Sequence, residues 1–315
     1  MRKKRGILLS STVVFLILLG IPHFVSDYHT YLLNEIFILA LMGYSFKILF
    51  GAGFLSLGLA GFYAVGAYSF ALLYFHIAES LYLAFFGAVI LSGIVSSIIG
   101  FFCVKRKKMY FAVLTFAFSE LIHAIMWQWR SLFGGDEGIS GIVRPHLDFY
   151  FFQVSLQPYL NFYYFTLAIL AICMYVLWKI QNSNFGYILT CIHDNPERAS
   201  FVGVNVQNYA LVAFVMSGVL AGLAGALYVC LSGAVDPEYA HIINTVEPQI
   251  VTLVGGISTF SGPFAGSMIY LLIKAYLITK IGNWVIVIGA LLIGLVLLFR
   301  KGILGYVSER GWLEV

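Results

Sequence analysis

Apolar residues fall along this chain in continuous runs, and the runs are roughly 18 to 25 residues long, the length that crosses a bilayer as a helix. They predict spans near residues 7–25, 31–50, 54–75, 81–103, 109–130, 159–179, 208–233, 247–278 and 282–299. Barrel strands would show short alternating segments, whereas "TVVFLILLG" and "VIVIGALLIGLVLLF" are apolar throughout and require helices whose backbone is satisfied internally. No long polar segment separates the spans, so the fold class is all-α: a polytopic membrane helix bundle, read as one transmembrane domain over 1–315.

Composition agrees, with 61% hydrophobic and 10% charged residues over 315 positions, too apolar for a water-soluble domain. The basic opening and apolar core of "MRKKRGILLSSTVVFLILLG" resemble a signal peptide, but no small-residue cleavage site follows, which predicts an uncleaved first span. The net charge of +4 comes from clusters, so it bears on orientation in the membrane and not on nucleic-acid binding. Arg2, Lys3, Lys4 and Arg5 place the N-terminus in the cytoplasm, and Lys105–Lys108 return to that side four crossings later. The segment 181–207 is then cytoplasmic, and 131–158 is external. A single crossing by 247–278 would leave Arg300 and Lys301 outside; the helix breakers Gly255–Gly256 and Gly262–Pro263 instead predict a broken or re-entrant element and a cytoplasmic C-terminus.

A second break is predicted where "GAGFLSLGLAG" interrupts the apolar pattern after the second span. Interrupted segments in two halves of a chain point to a transport path, because half-helix ends expose backbone dipoles to a solute; the alternative is that these glycines only permit close packing. Packing suffices for Gly218, Gly222 and Ala226, four residues apart. Glu35, Lys47, Glu120, Glu247 and Lys274 lie inside or beside spans, where a charge costs about 2.5–3.5 kcal/mol, and each needs a partner or a function. Thr115, Ser119 and His123 follow at helical spacing beside Glu120, giving one polar face that looks at a cavity or at a hydrogen-bond network between helices. Glu247 and Lys274 are read as near span ends, placed to snorkel.

The four cysteines have no paired or ligand spacing, and no cofactor, metal or catalytic motif is present. The chain has no phosphate loop, so any ATP hydrolysis belongs to another subunit. In the cytoplasmic segment, Asp194-Asn195-Pro196-Glu197 starts a short helix that Gly203 stops. A compact surface helix suits docking to a partner, although ordinary interfacial helices look the same.

Four segments in order, "GFLSLGLAGFYAVGAY", "YFAVLTFAFSELIH" followed by "GGDEGISGI", "FGYILTCIHDNPERASFVGVNVQNYALVAFVMSGVLAGLAGALY", and "EPQIVTLVGGISTFSGPFAGS" with "LFRKGILG", resemble the membrane permeases of branched-chain amino acid ABC importers, in particular the LivM-like subunit. The resemblance implies a coupling loop that meets the ATPase through Gly186, Asp194, Pro196, Glu197, Arg198, Ala199 and Gly203. It implies a translocation path near Gly53, Ser56, Gly58, Glu247, Gly255, Gly256 and Gly262, to which the polar face of Thr115, Ser119, Glu120 and His123 adds. The implied partners are ATP-binding cassette subunits, a second homologous permease in a heterodimer, an extracytoplasmic solute-binding protein and the lipid bilayer, in a bacterial inner membrane. The implied mechanism is alternating access. Leu59 and Phe54 depart from the family pattern, which has His or Gln at the first position and Gln or Leu at the second. Urea and short amides remain alternative solutes, and an ion-coupled secondary transporter or a structural scaffold remain alternative functions.

Overall fold

The computed structural model describes residues 19–23, 25–76, 81–106, 108–144, 146–149, 152–280 and 302–309, together with 286–287, 289–290 and 294. The basic cluster at 2–5, Lys107, Arg300, Lys301 and most of the predicted spans 7–25 and 282–299 lie outside the described residues.

In chain order the helices are α1 (Asp27–Phe50), α2 (Leu59–His76), α3 (Leu81–Cys103), α4 (Lys108–Gln128), α5 (Tyr159–Gln181), α6 (Asn184–Asp194), α7 (Pro196–Phe201), α8 (Val206–Ser232), α9 (Ile243–Gly255), α10 (Gly262–Lys280) and α11 (Ile303–Glu309). Seven of the described helices, α1 to α5, α8 and α10, are long and apolar enough to cross a membrane. The molecule is a multi-pass membrane protein. Six of the predicted spans appear within a few residues of their expected ends, except that the third begins at Leu59 and not at 54.

Two layers are distinguished by burial. In α1, α2 and α8 the most apolar window is 72%, 67% and 67% buried inside the protein; in α3, α4, α5 and α10 it is 22–39% buried, so these form the outer layer. Lipid is as apolar as leucine, so helices in it associate by close packing and internal hydrogen bonds. The α2–α8 seam is the closest: a Cβ on Gly66 would stand 2.0 Å from the Gly222 carbonyl oxygen, and one on Gly225 would stand 2.0 Å from that of Tyr63. Gly218 and Gly222 also receive Ser96 and Ser92 of α3, whose hydroxyls donate back to their own helix at Gly93 and Val89. Ser45 on α1 donates to the Ser217 carbonyl at 2.7 Å, and Thr166 on α5 to Asn34 Oδ1 on α1 at 2.6 Å.

The segment 131–158 adds a little strand to the helical fold. β1 (Ile139–Ser140) pairs antiparallel with β4 (Ala234–Val235) just past α8, and β2 (His146–Phe149) pairs with β3 (Phe152–Ser155). Gly138, at φ +64, lies so close to the Val235 carbonyl that a Cβ would be 2.1 Å away. The glycines of "GGDEGISGI" therefore serve the geometry of this return onto α8.

Candidate functional site

The first break is a turn followed by irregular backbone, largely buried in the bundle. Residues 51–58 leave the end of α1, turning at Gly53 (φ +78), and run back along α4 and α9 before α2 begins. Non-helical backbone at membrane depth needs partners from its surroundings, and here side chains provide them. Thr115 Oγ1 accepts from the Leu57 amide at 3.1 Å, and Ser56 Oγ accepts from the Gly58 amide at 3.2 Å. Gln249 donates to the Ser56 carbonyl at 2.9 Å, and Thr245 Oγ1 accepts from the Ala60 amide at 2.9 Å. A Cβ on Gly58 would stand 2.3 Å from the Thr115 carbonyl, so that glycine is required by contact with α4.

The second break is a helical hairpin of unequal arms. α9 has 13 residues, about 20 Å of helix, short of the roughly 30 Å hydrocarbon core. Its final turn opens at Gly256 (φ +116), and α10 returns antiparallel against it. Glycine contacts bring the arms together: Cβ atoms on Gly255 and Gly266 would each stand 1.9 Å from a carbonyl of the opposite arm. The antiparallel return brings the start of α9 and the far part of α10 to the same end of the bundle. Glu247 on α9 accepts hydrogen bonds from Tyr270 at 2.9 Å and Lys274 at 3.1 Å on α10. These two charges therefore pair across the hairpin and do not snorkel separately. Lys47 of α1 donates to the Thr259 carbonyl in the hairpin turn and lies over the Phe260 ring.

Two cavities flank α1 on opposite faces. One of about 420 Å³ is lined by Glu35, Asp236, Glu238, Glu247 and Lys274, with Ile38, Leu39, Met42 and Leu271 as apolar wall. The other, about 350 Å³, is lined by Tyr44, Lys47, Ile48 and Phe50 of α1 and Gly51 just past it, by Ile257, Ser258 and Phe260 of the hairpin turn, and by α5 and α6. Glu35, Ile38, Leu39 and Met42 line the first and Tyr44, Lys47 and Ile48 the second, which at 100° per residue puts the two groups about half a turn apart around α1. Burial pushes the Asp236 carboxyl up from its ordinary value, partly countered by backbone hydrogen bonds from Glu238 and Tyr239.

Of the expected path residues, Glu247 lines the first cavity. Gly255, Gly256 and Gly262 form the hairpin turn, and Gly53, Ser56 and Gly58 form the first break. Thr115 and Ser119 are 2% exposed and bonded to neighbouring segments, Ser119 donating to the Ala240 carbonyl at 3.2 Å; they line neither cavity. Glu120 lies 3.7 Å from His123, whose ring faces His241. The helix-linking network, left open by the sequence, accounts for Thr115 and Ser119.

The expected coupling residues form a compact surface unit. Asn195 caps α7 by accepting from the Arg198 amide at 2.9 Å, with Pro196 at the first helical position; Ala199 is buried, and Glu197, Arg198 and Asp194 are exposed. Gly203 takes φ +87 just past the helix. Sequence reasoning missed α6, which is amphipathic and carries Gly186 and His193 on the wall of the second cavity. It also missed Phe201 and Val202, 86% and 81% exposed at the tip of the unit. A large apolar pair left open on a polar loop is a docking signal, visible in the sequence only as two apolar residues after a helix of known end. His193 Nδ1 lies 2.9 Å from the Phe50 carbonyl, tying this unit to the end of α1.

Residues 28–298 match the family model described as the branched-chain amino acid transport system / permease component. The high-affinity branched-chain amino acid transport system permease protein LivM of Salmonella typhimurium is 25% identical over 243 residues, covering 70% of this chain and 56% of that protein. LivM of Escherichia coli K12 is 23% identical, with the same coverage of each chain. A probable branched-chain amino acid transport permease, LivH of Methanocaldococcus jannaschii, is 28% identical over 177 residues, 55% of this chain and 51% of that one. The chain thus spans about half the length of the curated relatives it matches. No solved structure matches it. A bundle with two broken elements, a capped surface helix pair and a family match over most of its length make this chain a member of the branched-chain amino acid transport system permease component family.

Proposed function

We propose that this chain is the membrane-spanning permease subunit of an ATP-driven importer, carrying branched-chain amino acids or similar small polar solutes by alternating access. Its partners in this reading are ATP-binding cassette subunits docked on α6–α7, a second homologous permease and an extracytoplasmic solute-binding protein. Both termini and α6–α7 face the cytoplasm of a bacterial inner membrane.

The observation that carries the reading is the physical link from the α6–α7 unit to the cavities. The exposed Phe201–Val202 tip ends that unit, and His193, at the close of α6, bonds to the end of α1. α1 and the hairpin are the elements that line both cavities, and Lys47 joins them through Thr259. A displacement of α6–α7 by a closing ATPase therefore reaches both cavity walls through bonded contacts, as a two-state coupling requires. The irregular segment at 51–58 and the turn at 256–261 are where the chain has few helical bonds to break when the hairpin shifts.

The test is purification of the tagged chain from its native membrane in mild detergent. Recovery of an ATP-binding subunit, lost on Glu197→Ala with Arg198→Ala, supports the importer. A stable chain without an ATPase, with uptake that collapses when the ion gradient is removed, makes an ion-coupled transporter the correct reading.

A further inference from the structure

The cavity beside Glu35 has features that packing does not explain. Three tyrosines on its wall, Tyr63 of α2, Tyr228 of α8 and Tyr239 of the turn after β4, pack on one another with ring centroids 5.5–6.1 Å apart. Around them stand four carboxyl groups, Glu35, Asp236, Glu238 and Glu247, against the single ammonium of Lys274. That ammonium is already engaged by Glu247, which also accepts from Tyr270. Asp236 Oδ1 is shielded from solvent and has no hydrogen-bond partner.

Clustered aromatic faces beside carboxylates are the chemistry that recognises an alkylammonium, by cation–π attraction and charge-assisted hydrogen bonds. The excess of carboxyl groups opposes a carboxylate ligand, and Lys274, the one cation among the described lining residues, already pairs with Glu247. The wall of Ile38, Leu39, Met42 and Leu271 supplies an apolar surface, and about 420 Å³ leaves room for a small molecule.

We infer that this cavity is a solute subsite of the permease for a primary ammonium group on a short aliphatic body, with Glu35 and the tyrosine cluster as the ammonium receptor. Resting on the importer reading, the inference adds that the permease itself selects solute: it requires the ammonium and not the carboxylate. Neutral amides and anionic acids of the same shape are rejected here, whatever delivers them.

The experiment uses the full-length chain in lipid nanodiscs and isothermal titration calorimetry with three probes: L-leucine, isoamylamine, which lacks the carboxylate, and isocaproate, which lacks the ammonium. Leucine and isoamylamine are expected to bind, and isocaproate more weakly by about tenfold or more. Glu35→Gln is expected to weaken leucine by about tenfold, with its thermal unfolding unchanged. Equal binding of isocaproate and leucine, binding by none of the three, or wild-type leucine affinity in Glu35→Gln would each overturn the inference. If the variant does not fold, the three probes on the unmodified chain decide. Capture of the ATPase, measured on the same preparation, separates the two readings: capture without solute binding leaves the importer and removes the subsite, and ammonium binding without capture does the reverse.

Discussion

At the scale of single residues, polar side chains in this bundle mostly satisfy backbone that is not helical. Thr115 illustrates it, accepting from Leu57 and donating to the Ala112 carbonyl at 2.9 Å. Thr115→Val keeps the shape and orphans the Leu57 amide, a loss of about 1–3 kcal/mol. It is expected to lower the unfolding temperature in detergent while leaving ATPase capture intact. Gly66→Ala would force a methyl onto the Gly222 carbonyl; overpacking of this kind costs about 1–3 kcal/mol, and retention of the native unfolding temperature would contradict the α2–α8 seam. Asp236 tests the sign of a titration. Its folded carboxyl binds its proton more tightly than in the unfolded chain, so the folded state is favoured as pH falls through that pKa and disfavoured above it. Asp236→Asn should therefore raise the unfolding temperature at neutral pH, with the gain vanishing under acid conditions.

At the scale of elements, α1 and the α9–α10 hairpin act as a pair. Lys47 binds them at the turn, Gly43 lets Pro263 and Thr252 approach α1, and Thr252 donates to the Gly43 carbonyl at 3.2 Å. Lys47→Met keeps the length of the side chain and removes the tie to Thr259. It is expected to preserve ATPase capture and reduce solute uptake by about tenfold, the effect of about 1.4 kcal/mol of lost coupling; undiminished uptake would show that the tie carries no coupling. The tip of the α6–α7 unit can be tested separately, because Phe201 and Val202 are mostly exposed and carry little packing within the chain. Replacing both with serine should abolish capture without changing the unfolding temperature.

At the scale of the whole molecule, the orientation inferred from basic clusters sets α6–α7 and the β1–β4 pair on opposite sides of the membrane. Cys191 on α6 is exposed, whereas Cys103 and Cys230 are buried. A membrane-impermeant maleimide should label Cys191 only after the cytoplasmic side is opened, and should label a Ser140→Cys variant in intact cells. The reverse pattern would invert the topology and place the Phe201 tip beyond reach of a cytoplasmic ATPase.

Much of the architecture was legible because each signal is local. Span length follows from apolar runs, the start of α7 from Asn195 and Pro196, and the break between α9 and α10 from glycine and proline punctuation. What the tertiary structure alone decided is pairing between segments far apart in sequence. Glu247 and Lys274 are 27 positions apart, and a composition of apolar helices does not say that they meet. That Thr115 holds the Leu57 amide, 58 positions away, is likewise invisible in the sequence. Glu35 reads as a charge in need of a partner or a function, and only the structure brings Tyr63, Tyr228 and Tyr239 to the same cavity. The physical reason is that lipid selects for apolar length in every span alike, so the sequence specifies which segments enter the membrane, whereas close contact at glycines and buried hydrogen bonds, both non-local, select which faces meet.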